Sequence, residues 1–477
     1  MPSDDPFRAI LPASEPSGSS ATPAALRTCL FLGLAAAVVL PPTAAGVAWS
    51  VIALLMLVAA WRVRTTAGSR ADLVTAVLAG LLVCVPAYRS APWLTGLCLP
   101  MAAGLASISL LPVRTWTGTL AATVSGLLFA PPAVRWLWPA LSRTRPSTRR
   151  AAVVGVSAVL IAAFGGLFLA ADSAYAAVVE HAVPLPDLTT LPGRIFVLAV
   201  VTIGAAIAIY LAQRAPEVDA LAPAAGRPVR AWEWAAPLVC LDLLFFSFVL
   251  VQLTVLFGGR RHVLQTEGLS YAEYARGGFW ELLVVTGLTL AVIAAVARYA
   301  PRITSGQRTA MRLFLGVLCL LSLVIVASAL KRMSVYQDEY GFTRLRIFVD
   351  AIELTLGVMF LLVLVSGVTL RGTWLPRAAV LTGAVALLAL ATINPDAYVA
   401  RHNVQRLSAT GKVDVDYLRV LSADATSELL KLPPASRGCA LGLLARELSA
   451  HPDPWYNTNI SRSRARDLLV GQRLACR

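Results

Sequence analysis

Arginine and tyrosine recur at every fourth position through Arg332, Tyr336, Tyr340 and Arg344. On a continuous helix residues four apart are neighbours, so these side chains form one stripe, with Gly341 the point at which it would break. Guanidinium groups grip carboxylate and phosphate in bidentate fashion, so the chemistry such a stripe offers is recognition of an anion. The stripe lies in the polar stretch 331–346 (KRMSVYQDEYGFTRLR), where Ser334 and Gln337 have the spacing of a helix-capping box. Two other stretches are richer in polar residues than a connection needs. In 258–278 (GGRRHVLQTEGLSYAEYARGG), Ser270 and Glu273 make a second box, predicting a helix from Tyr271 into the next apolar run, and Arg276 follows. In 393–406 (INPDAYVARHNVQR) stand Asn394, Asp396 and Arg401. The candidate ligand-binding set is Tyr271, Glu273, Arg276, Arg332, Tyr336, Tyr340, Arg344, Asn394, Asp396 and Arg401, and the expected ligand class is a lipid headgroup or a lipid-linked anion. The plainer reading is that Tyr and Arg at the ends of apolar segments are interfacial anchors whose tips reach the headgroups.

Four acids lie within or at the edge of apolar runs. Asp242 has Gln252 about three turns further on. Asp350 and Glu353, three apart, share a helix face, and Glu281 follows Trp280 at the start of its run. Ionisable groups inside a membrane are costly and are functional candidates by default. The structural alternative for Asp350 is an ion pair with Arg346, four residues earlier. No GxSxG, HExxH or Walker A pattern is present, and no catalytic set can be assembled. The four histidines are scattered and no CxxC occurs, so neither a metal nor a cofactor is expected.

The elements that must position these residues are transmembrane helices. A run such as 279–297 (FWELLVVTGLTLAVIAAVA) is long enough to cross a hydrocarbon core of about 30 Å. Hydrophobic residues make up 57% of the 477-residue chain and charged residues only 14%, against about 25% in soluble domains. The expected spans are 24–40, 44–61, 72–88, 93–111, 151–171, 195–212, 235–257, 279–297, 313–330, 347–369 and 378–393. The fold class is thus all-α, a polytopic bundle of about eleven spans, or twelve if 115–138 also crosses. That segment is Thr-rich, contains Pro131-Pro132 and is flanked by Trp116, Trp136 and Trp138, which suits an interfacial element or the aromatic belt of a span.

Charge decides between the two counts. If the apolar part of this segment, 115–134, does not cross, one set of loops holds twenty Lys/Arg and the other nine; if it crosses, the totals are fourteen and fifteen. The positive-inside rule prefers the first arrangement, with the N-terminus cytoplasmic and the C-terminal region outside. The net charge of +15 then reflects loops facing an anionic leaflet, not nucleic-acid binding. Lysine occurs only at 331, 412 and 431, an Arg and Ala bias that points to a GC-rich bacterial genome and a bacterial plasma membrane.

Outside the spans, 1–23 is Pro/Ser-rich and expected to be disordered. The only candidate extramembrane domain is 394–477, read as short helices over 395–408, 414–431, 436–449 and 455–470. It carries Cys439 and Cys476. An outside location is oxidising, so the expectation is a disulfide between them, against an alternative of two buried thiols. The other five cysteines fall in apolar runs, as small hydrophobes.

SYAEYARGGFWELLVVTGLTL at 270–290, KRMSVYQDEYGFTRLR at 331–346 and INPDAYVARHNVQR with TGKVDVDYLRVLSADA within 393–425 resemble the bacterial integral-membrane group called domain of unknown function family 4173, related to 4153. The resemblance covers roughly 230–430 and implies a multi-span membrane protein; it brings no activity or catalytic residues. Three functions fit: handling or transport of an anionic envelope or lipid-linked component at the outer face, an intramembrane enzyme on a lipid-linked substrate with Glu273, Asp338 or Glu339 as acid or base, or a sensor or scaffold whose outer domain binds a partner. The partner common to all is the bilayer; no protein partner is indicated.

Overall fold

The computed structural model describes residues 20–40, 45–143, 191–221, 230–267, 279–300, 304–369 and 372–472, with Leu474, Cys476 and scattered positions between 153 and 172. The tail 1–19, most of the expected span 151–171, and Tyr271, Glu273 and Arg276 lie outside the described residues.

All regular structure among the described residues is helical. The first group comprises α1 (Pro23–Val39), α2 (Val47–Arg62), α3 (Arg70–Val83) continued by α4 (Val85–Tyr88), α5 (Pro92–Leu110), the short α6 (Trp116–Thr123), α7 (Ser125–Leu128) and α8 (Ala130–Arg143), and α9 (Leu191–Arg214). The second comprises α10 (Ala231–Glu267), α11 (Phe279–Tyr299), α12 (Ser305–Tyr340), α13 (Arg344–Thr369) and α14 (Leu375–Ile393). The remainder is α15 (Pro395–Thr410), α16 (Val415–Leu418), α17 (Thr426–Leu429), α18 (Pro434–Ala450) and α19 (Ile460–Leu469). Among the described residues eight helices, taking α3 and α4 together, are long and apolar enough to cross a membrane, and α1 and α2 are shorter apolar helices. Large apolar side chains such as Phe31, Leu127 and Phe196 remain exposed, as expected where the surrounding solvent is lipid.

Contacts near helix ends give the bundle two faces. Arg194, at the start of α9, donates to the carbonyls of Ala37 and Val38 at the end of α1, so these helices are antiparallel. Thr65, just after α2, bonds Ala212 near the end of α9. Asp72, at the start of α3, pairs with Arg64 at 2.8 Å and with Arg377, at the start of α14, at 2.7 Å. The starts of α1, α3 and α14 and the ends of α2 and α9 therefore share one face, the entry face. On the opposite face Arg89 Nε donates to the carbonyl of Ala391 near the end of α14. The domain after residue 394 docks there, and we call it the cap face.

The segment 115–138 begins and ends on the entry face. The Thr115 N–H and hydroxyl donate to Asp219, in the 3-10 turn Val218–Leu221 beyond α9. Twenty-odd residues later the Trp136 carbonyl accepts from the N–H of Ala21, just before α1, and its ring lies 5.7 Å from Tyr210. Between these points the chain dips beside α5, where Ser107 and Ser125 share a 2.6 Å hydrogen bond and Thr123 packs on Gly104. Gly104 is only six residues, about 9 Å, from the end of α5. The helix is broken at Val124 and Phe129, and the chain returns to the face from which it set out.

Three boundary expectations are corrected. The stretch 258–278 is not all loop, because α10 continues through Glu267. Ser334 and Gln337 do not cap a new helix: α12 runs unbroken past them, and the Ser334 hydroxyl donates back to the Lys331 carbonyl. Its 36 residues extend about 54 Å, well beyond a bilayer core of about 30 Å. The one or two helices read over 414–431 are shorter than expected, being α16 and α17 with a 3-10 turn at Ala423–Ala425 between them.

Candidate functional site: the cap-face ends of α10, α12 and α13

The Arg/Tyr stripe forms in part. Arg332, Tyr336 and Tyr340 lie on continuous α12, and Gly341 ends the helix at φ +82°. Asn403 explains why glycine stands there. Its Oδ1 accepts from the Phe342 N–H and lies 2.5 Å from where a Cβ of residue 341 would be, and its Nδ2 donates to the Phe342 carbonyl. Arg344 is therefore not the fourth member of one stripe; it opens α13 and points the other way, into the docked domain.

There Arg344 makes a bidentate pair with Asp396, Nε at 2.7 Å and Nη2 at 2.5 Å. Asp396 is fully buried and also accepts from the Ser422 N–H at 2.8 Å. Burial alone would raise its carboxyl pKa; the hydrogen bonds and charge of Arg344, with Ser422, outweigh burial and hold it below the ordinary carboxylate range. Asn394 adopts the left-handed conformation between α14 and α15, and its side chain caps the Ala397 N–H. Arg401 pairs with Glu428 at 3.2 Å. These residues join the domain to the bundle or hold its own helices together. Asp424, which sequence reasoning missed, does more of this: its Oδ2 accepts from the N–H groups of Ser90 and Ala91 and from the hydroxyls of Ser90 and Ser422. Asn459 binds the carbonyls of Pro86 and Arg89, and Val47 donates to the Thr458 carbonyl. Asp453, between Arg462 and Arg466, was missed as well. The structure joins Cys439 of α18 to Cys476, fastening the chain end to that helix.

Arg332 and Tyr336 stay on the membrane side of this junction. The Gln252 side-chain oxygen Oε1, buried on α10, accepts from Ser328 Oγ at 3.1 Å and from Arg332 Nη2 at 3.0 Å. The Arg346 guanidinium lies 4.2 Å from the centre of the Tyr336 ring and also bonds the Gly341 carbonyl. It thus does not serve Asp350, which accepts from Gln337 Nε2 at 2.6 Å. One turn deeper, Glu353 is fully buried and neither carboxylate oxygen has a hydrogen-bond partner. Tyr340 is half exposed beside Tyr336, with ring centres 5.0 Å apart. Stretches 331–346 and 394–406 are in contact, since Arg406 reaches the Glu339 carbonyl and Asn403 the turn at 341–342. Asp242, on α10, is half-buried with Oδ1 unpartnered. Glu281 is exposed in the first turn of α11, where a carboxylate complements the helix dipole.

Fold and site define a polytopic, all-helical membrane protein with a small helical domain docked on one face. The chain belongs to the family described as Domain of unknown function (DUF4153), whose model matches residues 76–432. That range takes in every described candidate residue up to Arg401 and the anchor Asp424. No curated protein and no solved structure matches the chain.

Proposed function

We propose that this protein handles, by binding or moving across the bilayer, an anionic envelope or lipid-linked component at the cap face, and that it does so in a bacterial plasma membrane with its N-terminus cytoplasmic and the cap domain outside. The observation that carries the reading is the set of polar and ionisable side chains on two sides of α12. Arg332 meets Gln252 of α10, Gln337 meets Asp350 of α13, and Glu353, three residues on, is buried with no hydrogen-bond partner, at positions where the bilayer makes each expensive. Stability alone favours apolar residues at such positions. Arg332 beside a buried amide, with Tyr336 one turn on, suits an anionic headgroup that enters from the interface, and the acids Asp350 and Glu353 suit a proton or cation that balances it. Support for the orientation comes from the loop charges, twenty against nine.

The test uses the full chain in nanodiscs and a polyprenyl phosphate as probe, with binding read by native mass spectrometry. Arg332→Ala is expected to weaken binding about tenfold or more, the loss of a charge-assisted contact, while Arg143→Ala leaves it unchanged. Equal binding by wild type and Arg332→Ala sinks the reading. Reporter fusions at residue 145 and at the C-terminus check the orientation; a cytoplasmic signal from the C-terminal fusion reverses it.

A further inference from the structure

A cavity of about 880 Å³ opens between α11, α12, α13 and α14 in the entry-face half of the bundle, away from the cluster above. Its wall is apolar: Ile293, Met311, Leu315, Leu356, Met359 and Val363 contribute, and Trp116 of α6 lies at one side. Along α13 the lining runs from Leu356 to Val368, about 18 Å, so the space is elongated along the helix axes. Two glycines of the lining face open space. A Cβ on Gly316 or Gly367 would meet nothing within 4 Å. Two cations stand at its mouth: Arg298, in the last turn of α11, and Arg312, in the third turn of α12, both exposed.

An apolar slot of this size, inside the hydrocarbon layer, excludes water and takes a hydrocarbon chain. Cations at the interface end add a preference for a negative headgroup, as basic pockets between membrane helices do. We propose that this cavity is a binding site for an anionic phospholipid, one acyl chain filling the slot and the headgroup phosphate held by Arg298 and Arg312. Charge complementarity selects this occupant over a neutral lipid, since the charged residues among the described lining are these two arginines. The inference involves different residues and the opposite face from the cap-face reading, and stands or falls without it.

The experiment compares phosphatidylglycerol with phosphatidylcholine on the full chain by native mass spectrometry. Wild type is expected to retain phosphatidylglycerol on the order of tenfold better. Arg298→Ala combined with Arg312→Ala should erase that preference, and Arg143→Ala should not. Gly316→Phe should plug the slot and lower retention of both lipids, whereas Gly287→Phe, also in open space but outside the cavity, should not. Fluorescence supplies a second readout that needs no cavity-filling variant to fold. Chain-brominated phosphatidylglycerol should quench Trp116 more than brominated phosphatidylcholine does, and the difference should vanish in Trp116→Phe. Equal retention of the two lipids by wild type, or equal quenching, overturns the proposal; so does undiminished retention in a folded Gly316→Phe.

Discussion

Asp424 caps the helix that begins after Ala91: its carboxylate accepts the Ala91 N–H at 2.9 Å across 333 residues of sequence. The Ser90 N–H joins at the same distance, so one acid of the cap domain holds both amides that lead into α5. Asp424→Ala is expected to destabilise by at least about 2 kcal/mol, a lost cap plus charge-assisted bonds. Limited proteolysis should then cut between residues 394 and 477 under conditions where wild type resists.

Arg344→Ala should be worse, because it leaves Asp396 buried without its cation. Removing one partner of a buried pair costs about 3–5 kcal/mol. If the damage is an orphaned charge, Arg344→Ala combined with Asp396→Ala will be less harmful than the sum of the two. Thermal melts of all three variants in one detergent make the comparison; strict additivity would refute the pairing.

The same pair sets an acid limit. The Asp396 and Glu428 pKa values are both depressed in the fold: burial raises each, and Arg344 with Ser422 in one case, and Lys431 with Arg401 in the other, more than reverse it. A depressed carboxylate contributes stability above its unfolded value, about 4, and that contribution disappears as pH falls towards the folded value. Docking should therefore be independent of pH from 8 down to about 5 and weaken below about 4, as read by protease sensitivity. Asp396→Asn should flatten much of that profile.

Gly341→Ala is expected to disrupt the turn between α12 and α13 by more than about 1 kcal/mol. The backbone is at positive φ, and the new Cβ would lie against Asn403 Oδ1. Asn403→Ala removes the clash but also the turn's two hydrogen bonds, so it should not rescue. Full rescue would show that the side chain is an obstacle and not a support.

For the disulfide, thiol labelling of denatured, unreduced protein should miss Cys439 and Cys476 and reach both after reduction. Closing a loop with a sequence separation of 37 stabilises by roughly 3–4 kcal/mol in the chain-entropy view, so Cys476→Ser should lower the melting temperature of the cap domain. Equal labelling with and without reductant rules the bridge out.

The spans were legible because the bilayer imposes their length: the runs at 93–111 and 378–393 coincide with α5 and α14 to within a few residues. Helix ends were less so. Ser334 and Gln337 satisfy a local capping pattern, yet Met333 and Gln337 are buried and their packing carries the helix through. The stripe from Arg332 to Tyr340 could be seen from spacing, whereas the pairing of Arg344 with Asp396 joins residues 52 apart that no periodicity relates. Asp72 had a visible signal, the Ser69-to-Asp72 box, which does form; its second task, holding Arg377 of α14, had none.

The cap domain also orders assembly in time. The starts of α2 and α5 are made well before their partners: Val47 pairs with Thr458, and Ser90 and Ala91 with Asp424, 334 and 333 residues further along. The bundle therefore holds these amides open until the cap domain has reached the same face, and a chain cut before Asp424 is left recognisable by the amides it cannot cover.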